Sequence, residues 1–538
     1  MKFNISVLSM FLVCIILLSS CSSSVAITNP TTNNENNESK YTKYTHTYIM
    51  TRRVDHEQAL VVSGWTNSSK IPLKNAYQDT HNGGSDGFVT KISPDGDILW
   101  SSYFGGAGTE YIHDMYINNQ NEIWIAGWTD SNDMDTTLVT SGSQEQSWFF
   151  YIAKFTSDGQ IIKIFRYDLP VPYFFNEHVK KVYLSENHFL IFAAVPEGLE
   201  GNEMRKKLPR INPLTENQEG NMYLYFADMQ GQAISSGFFG GSKDKRDKIR
   251  DALISPDHEQ VYLIGQTFSA DFPVRNAFQE EISKNGKSDA FISCFDFKGT
   301  LKWSSYLGGH QEDYAENILV DSEGRLFVTG RTESDNFPLK NPQIFLEEKL
   351  TFNPEYRRGY SFLSIFSRDG ELLSSTYLRE SLPVTSYSFD SMNDHQNISF
   401  HGIGLFFDFH KEFRSVNEFQ KGPLGTEETN ETVASSNTIG SINANGQYTF
   451  YSFYGGSGLS AEAEDKATRR FKVSSSILNN NNQLFVIGSL SNLIPERFEH
   501  LKLDPVVFSV PKTHTLAFVS IFDTEGNFKK MLLWGAEE

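Results

Sequence analysis

The side chains with chemistry to offer are acids that follow a Gly-Gly step. Glu110 and Asp114 come after Gly105-Gly106, Asp313 and Glu316 after Gly308-Gly309, and Asp244 and Asp247 after Gly240-Gly241. Oxygen ligands so placed suit a hard cation such as Ca2+, or a polar ligand at the mouth of a channel. The plainer role for the same acids is turn capping and solvated charge. His113 and His310 lie nearby, but no two histidines have helical or hairpin metal spacing, so no transition-metal site is expected. Cys294 stands where related segments carry Lys91 and Lys154, and a lone strand cysteine reads as buried and inert. There is no Gly-x-Ser-x-Gly elbow, phosphate loop or paired His/Cys constellation. No catalytic residue is therefore assigned. The candidate binding residues are Glu110, Asp114, Asp313 and Glu316, with Ca2+ the one cofactor they would suit.

These acids recur because the chain repeats. An Xaa-Gly turn appears at Asp95-Gly96, Asp158-Gly159, Gln230-Gly231, Lys298-Gly299, Asp369-Gly370, Asn445-Gly446 and Glu525-Gly526. From Gly96 to Gly526 the spacing averages about 72 residues. Glycine tolerates the positive φ that a two-residue hairpin requires. A turn rich in Asp, Asn and Glu also recurs seven times, from Asp55-His-Glu57 to Asn479–Asn482. Each is followed by an apolar strand such as Leu60–Gly64, Ile123–Gly127 or Leu326–Gly330. A fourth segment, Trp100-Ser-Ser-Tyr-Phe-Gly-Gly106, returns almost unchanged as Trp303-Ser-Ser-Tyr-Leu-Gly-Gly309.

Seven copies of four period-2 strands predict an all-β fold, a seven-bladed β-propeller with four antiparallel strands per blade. One such sheet cannot cover both its faces, whereas a closed ring of copies can. The strands of a blade are b (ending at the Asx turn), c (apolar), d (before the Xaa-Gly turn) and a (carrying Gly-Gly). Strand c is apolar on both faces, which suits an interior strand, so the order b-c-d-a outward from the axis is favoured. The other order makes c the outer strand and closes the ring with a blade shared by the two ends. In either case the long c–d loops (66–86, 130–147, 195–221, 268–288, 333–359, 404–437 and 490–514) fall on one rim. Insertions confined to one face mark the face that meets a partner. Phe272-Pro273 and Phe337-Pro338 predict a packed corner within two of these loops.

Of 538 residues, 39% are hydrophobic and 14% aromatic, and the net charge is −19. That balance argues against a nucleic-acid partner, which needs a basic footprint. Residues 1–20 begin with Lys2, run apolar from Val7 to Leu18 and end in small residues, the pattern of a secretory signal. Leu18-Ser-Ser-Cys21 resembles the bacterial lipobox, which implies lipidation of Cys21 and membrane attachment through that lipid. Ser22, by resemblance to Gram-negative lipoproteins, implies the outer membrane or cell surface. Residues 21–43 are Ser/Thr/Asn-rich and read as a flexible tether, followed by the propeller over 44–538. Cys294 is then left with no partner for an intramolecular disulfide.

The run Asp86-Gly-Phe-Val-Thr-Lys-Ile-Ser-Pro-Asp-Gly96…Trp100-Ser-Ser-Tyr-Phe-Gly-Gly106, with Thr332-Glu-Ser-Asp-Asn-Phe-Pro338, resembles the bacterial seven-bladed β-propeller repeat family, SBBP. The resemblance covers most of residues 54–535 and is strongest around 86–129 and 265–332. It implies a secreted or surface propeller and no settled activity. The Gly96…Trp100 and Gly299…Trp303 spacing is also similar to quinoprotein propellers, in which such tryptophans dock one blade on the next. The expected function is a lipid-anchored, non-catalytic binding module of the cell envelope that meets a protein or glycan partner through its long-loop face. The alternative is a polysaccharide hydrolase or lyase with a carboxylate pair in the central channel, 5–10 Å apart.

Overall fold

The computed structural model describes residues 45–535 apart from 141–147, 170–178, 196–202, 204, 213, 215–219, 242–246, 256, 284–286, 342–359, 378–383, 393–396, 407–433, 443–447, 458–469, 492–513 and 525–527. Cys21, the signal over 1–20 and the tether lie outside the described residues. So do Asp244 and most of the 333–359, 404–437 and 490–514 loops. The chain divides into two units between Lys43 and Tyr44, and every described strand belongs to the second.

Those strands fall into seven groups of consecutive segments, the last and the first of which hydrogen-bond into one eight-stranded sheet. The first holds β1 (Thr45–Val54), β2 (Leu60–Thr66), β3 (Asp86–Ile92) and β4 (Ile98–Phe104). The second holds β5 (Glu110–Ile117), β6 (Ile123–Thr129), β8 (Phe149–Phe155) and β9 (Ile161–Tyr167), with the short β7 (Thr137–Thr140) added beside β9. The third is β10 (Val179–Leu184), β11 (His188–Ala194), β12 (Met222–Asp228) and β13 (Ala233–Phe239). The fourth is β14 (Lys248–Ile254), β15 (Gln260–Thr267), β16 (Asp289–Asp296) and β17 (Leu301–Leu307). The fifth is β18 (Asp313–Val320), β19 (Leu326–Thr332), β20 (Tyr360–Phe366) and β21 (Leu372–Tyr377). The sixth is β22 (Val384–Met392), β23 (Ile398–Phe406), β24 (Ala434–Ile442) and β25 (Tyr448–Ser457). The last is β26 (Arg470–Leu478), β27 (Leu484–Ser491), β28 (His514–Phe522) and β29 (Phe528–Trp534).

Apart from β7, which pairs parallel with β9, the strands within each group pair antiparallel in chain order, the order b-c-d-a. The first strands touch in succession, β1 with β5, β5 with β10, then β14, β18, β22 and β26, and β26 returns to β1. The fold is thus a β-propeller of contiguous blades, and a blade shared between the two ends is set aside. The first and last sheets meet in a parallel seam, Thr45 beside His514 and His46 beside Thr515.

The apolar c strands explain the packing. Alternate side chains enter two different cores, one on each face of the sheet. Leu60 and Val62 pack toward the last sheet, and Val61 packs toward the second. Phe189 and Ile191 face the second sheet while Leu190 and Phe192 face the fourth. Tryptophans at the outer strands join the blades as expected. Trp100 donates its indole N–H to Ser157 O (3.0 Å) and Trp303 to Arg368 O (2.9 Å), each on the next blade's Xaa-Gly turn.

The turns correct one detail. Gly96, Gly159, Gly231, Gly299 and Gly370 all have positive φ, between 74° and 89°. The hairpin is not a two-residue one, however. Gly96 N–H bonds Ser93 O, Ser93 N–H bonds Asp97 O, and the register shifts at Lys91/Ile92. This is a longer turn ending in a left-handed glycine and a bulge. The Asx turns hold by one device: Oδ1 of Asp55, Asn118, Asp321 and Asn479 each accepts two backbone N–H groups, two and four residues on.

Candidate functional site

The acids after Gly-Gly open the b strands, and the structure shows what they do. Glu110 is fully buried and accepts from Gly106 N–H (3.1 Å), Thr129 Oγ1 (2.6 Å) and Ser131 Oγ (2.5 Å). Asp247 accepts from Gly241 N–H (2.7 Å), Thr267 Oγ1 (2.8 Å) and Ser269 Oγ (3.1 Å). Asp313 accepts from Gly309 N–H (2.8 Å) and Ser334 Oγ (2.9 Å). Each carboxylate ties the end of one blade's outer strand to the c–d loop of the next. Burial of a charged group is offset only by such bonds.

A second acid stands behind two of them, and the sequence reading missed it. Asp86 accepts from Gln78 Nε2 (2.8 Å) and Asn82 N–H (2.9 Å), while Gln78 Oε1 accepts from Gly105 N–H (2.9 Å). Asp289 repeats this with Gln279 Nε2 (2.9 Å), Ser283 N–H (3.2 Å) and Gly308 N–H on Gln279 Oε1 (3.0 Å). Both are fully buried. The carboxyls of Asp289 and Asp313 pinch Gly308 so closely that a Cβ there would lie 2.7 Å from Asp289 Cγ and 2.8 Å from Asp313 Oδ2. The signal was available: Gln78 and Gln279 each lie three residues after a repeated Asn, Asn75 and Asn276.

Paired buried carboxyls resist ionisation. Burial, then the neighbouring Asp313, pushes Asp289 up to about 7. Burial pushes Asp86 and Asp313 up to about 6 and raises Glu110. A carboxyl whose pKa is raised by folding favours the fold most when it is protonated. Its contribution is complete below the unfolded value near 4 and is lost as pH climbs from there to about 7. Asp289→Asn should abolish that loss, because Asp289 Oδ1 has no partner and an amide placed there can donate toward Asp313. Urea unfolding at pH 8 should show the variant more stable than the parent by about 1–2 kcal/mol, with little difference at pH 4. Equal destabilisation at both pH values would refute the raised Asp289 pKa as the cause.

Asp114 lies deeper along β5 and bridges three blades. Its Oδ1 accepts from Arg53 Nη2 of β1 (2.9 Å) and its Oδ2 from Leu184 N–H of β10 (2.9 Å). Asp251 repeats the bridge with Lys181 Nζ (2.7 Å) and Ile318 N–H (3.3 Å). Burial raises the Asp114 carboxyl pKa and Arg53 opposes it. Glu316 occupies the bulge of β18, as His113 does in β5 and Arg250 in β14. Burial drives His113 down to about 4, which leaves it neutral. Cys294 is buried and its thiol is pushed up to about 12 by burial. The four candidate acids are thus not brought into one cluster. Among the described residues, no three His, Cys, Asp or Glu side chains group as metal ligands.

The rim of c–d loops has two parts. Phe272 and Phe337 are buried corners, as expected, against Phe291 (4.6 Å) and Phe362 (4.5 Å). Beyond them the loops fold back down the outer strand, bridging Lys74 to Ser101, Ile211 to Ser236, Arg275 to Ser304 and Lys340 to Ser375. That return covers outer edges that would otherwise be open. At the roots of the first two loops a row of half-buried rings runs from Tyr48 to Trp65 (4.9 Å), Tyr111 (5.5 Å) and Trp148 (5.9 Å).

Residues 302–338, which run from β17 through the Gly-Gly corner and β18–β19 to Phe337-Pro338, match the family model of the SBBP β-propeller repeat. This stretch is similar to an SBBP repeat. The Gly-Gly corner and the Phe-Pro corner both fall within the match, and Gly105-Gly106 and Gly240-Gly241 repeat the first of them. No curated protein matches the chain. Solved structures with some likeness include a protein of unknown function from Dyadobacter fermentans (9% identity, 71% of this chain and 91% of that one, TM-score 0.33). A gluconolactonase from Xanthomonas campestris is 12% identical over 65% of this chain and 91% of its own, at TM-score 0.26. A lignostilbene dioxygenase from Pseudomonas brassicacearum is 11% identical over 88% of both chains, at 0.32. Scores this low carry no argument about activity.

Proposed function

We propose that this propeller is a non-catalytic binding module of the bacterial cell envelope, anchored by lipid at Cys21 and meeting a protein or glycan through its c–d loop rim. One observation carries the reading: the described acid pairs best suited to catalysis, Asp86 with Glu110 and Asp289 with Asp313, are sealed inside the blades and bonded to the chain. Substrate has no access to them, whereas the rim offers half-buried rings and the longest insertions. The lipobox-like Leu18-Ser-Ser-Cys21 and the polar stretch behind it support a tethered domain. Among the described residues no helix is long and apolar enough to cross a membrane.

The test is capture by the unlipidated domain, residues 44–538, on a glycan array and from envelope extracts. Deleting residues 407–433 and 342–359, which spares the strand ends and the Ser334, Phe337 and Lys340 anchors, should lower partner capture about tenfold or more while the remaining blades keep their unfolding transition. Full capture by the deleted form would remove the loop rim as the binding face.

A further inference from the structure

We propose that the ring row Tyr48–Trp65–Tyr111–Trp148 is a subsite for an uncharged, unbranched oligosaccharide. The inference rests on the binding-module reading and names its ligand class.

The repeat does not require rings at these places. Tyr48 pairs across the strands with Trp65, and the position of Tyr111 faces Trp128. At the same place the fourth sheet pairs Lys248 with Gln266 and the fifth pairs Tyr314 with Arg331. The fourth blade closes with polar side chains and the fifth keeps a single ring, Tyr314 beneath Arg250, so the aromatic pairs of the first two are not a folding necessity.

The polar tips of the row differ from those of four buried tyrosines, though Tyr225, Trp124 and Trp128 also keep theirs unbonded. The hydroxyls of Tyr103, Tyr167, Tyr306 and Tyr377 each donate to a main-chain carbonyl, at 3.0, 2.8, 2.7 and 2.8 Å. Among the described residues, no bond within the chain takes the hydroxyls of Tyr48 and Tyr111 or the indole N–H groups of Trp65 and Trp148. Half-buried rings with unoccupied donors make a surface that is apolar across its faces and polar along its edges. A pyranose chain has that same division, with C–H groups on its faces and hydroxyls on its rim. A lipid tail or apolar peptide face would leave the four donors unmet.

The length of the row, four rings in sequence 4.9, 5.5 and 5.9 Å apart, favours an extended ligand. Tyr111 and Trp148 lie nearly parallel, 9° apart, whereas Trp65 stands edge-on to Tyr111 at 88°. Charge selects against an acidic glycan. Asp130 flanks Tyr111 closely enough to raise its hydroxyl pKa, behind burial, and the whole chain carries −19.

The experiment titrates the 44–538 domain with unbranched hexaoses of glucose, mannose, xylose and N-acetylglucosamine, following tryptophan fluorescence and heat. At least one should give saturable quenching. Trp65→Ala and Tyr111→Ala should each weaken it about tenfold, and Trp65→Phe, which keeps a ring and the packing, should restore most of it. The proposal is overturned if no hexaose binds, or if both alanine variants titrate like the parent while folded. Should these variants lose capture of a protein while no sugar binds, the row is a protein contact and the glycan assignment fails. Should loop deletion abolish capture while the row variants keep it, the binding-module reading stands and the row is not its site.

Discussion

Gly127→Ala should lower the unfolding free energy by about 3 kcal/mol, at the upper end of what overpacking costs. Gly127 closes β6 opposite the bulge that His113 makes in β5. The bulge presses the Tyr111 carbonyl onto the glycine, and an added Cβ would lie 1.8 Å from that oxygen and 2.8 Å from Tyr151 Oη. Both near neighbours of the methyl are fixed: one is backbone, the other a buried phenol. Relief would have to come from flattening the bulge, which also sets Asp114 between its neighbours. The same squeeze occurs at Gly64 under Tyr48 O and at Gly265 under Lys248 O, each 1.8 Å. Urea unfolding of the variant decides the matter, and a loss below about 1 kcal/mol would mean that the strand yields.

Trp534→Ala should cost about 4 kcal/mol. Trp534 is fully buried where the last sheet meets the first, in a core with Leu60, Val62, Phe88 and Ile521. Its indole N–H reaches Thr90 Oγ1 across the join at 3.2 Å. The surrounding ties are smaller: Lys530 with Asp97 at 3.0 Å and Gly535 N–H on Lys70 O at 3.0 Å. The exposed ion pair among them contributes little. Trp534→Phe should recover more than half the loss, since it keeps most of the volume and gives up one hydrogen bond. If the alanine variant unfolds with the parent's midpoint, the join is not held by this side chain.

Repetition made most of the architecture legible. Asp95-Gly96 and its later copies marked where each sheet turns, and the two-sided greasiness of Leu60–Gly64 and Ile123–Gly127 placed those strands inside. These favoured the order b-c-d-a, and the pairing of β1 through β4 set aside the blade shared between the two ends. The corner acids were harder. Glu110 and Asp313 stand out in sequence as charged residues, but their burial depends on hydroxyls at Thr129, Ser131 and Ser334, some twenty residues away, reached only when the c strand has folded beside them. Asp86 and Asp289 looked like ordinary strand starts because their partners, Gln78 and Gln279, sit inside loops that read as free insertions. The ring row was hidden for a similar reason. Tyr48, Trp65, Tyr111 and Trp148 belong to four segments, and nothing in local periodicity says that their rings pack in one row.

The pairing of Thr45 with His514 gives this molecule an order of manufacture. A ribosome delivers the first blade long before its neighbour across the join exists. Until β28 and β29 emerge, the greasy flank built on Leu60 and Val62 has nothing to lie against, and closing it demands the longest loop in the molecule. Each growing chain thus passes through a stage as an open arc with one sticky end. Chaperone demand and misassembly concentrate in that interval rather than in any single sheet.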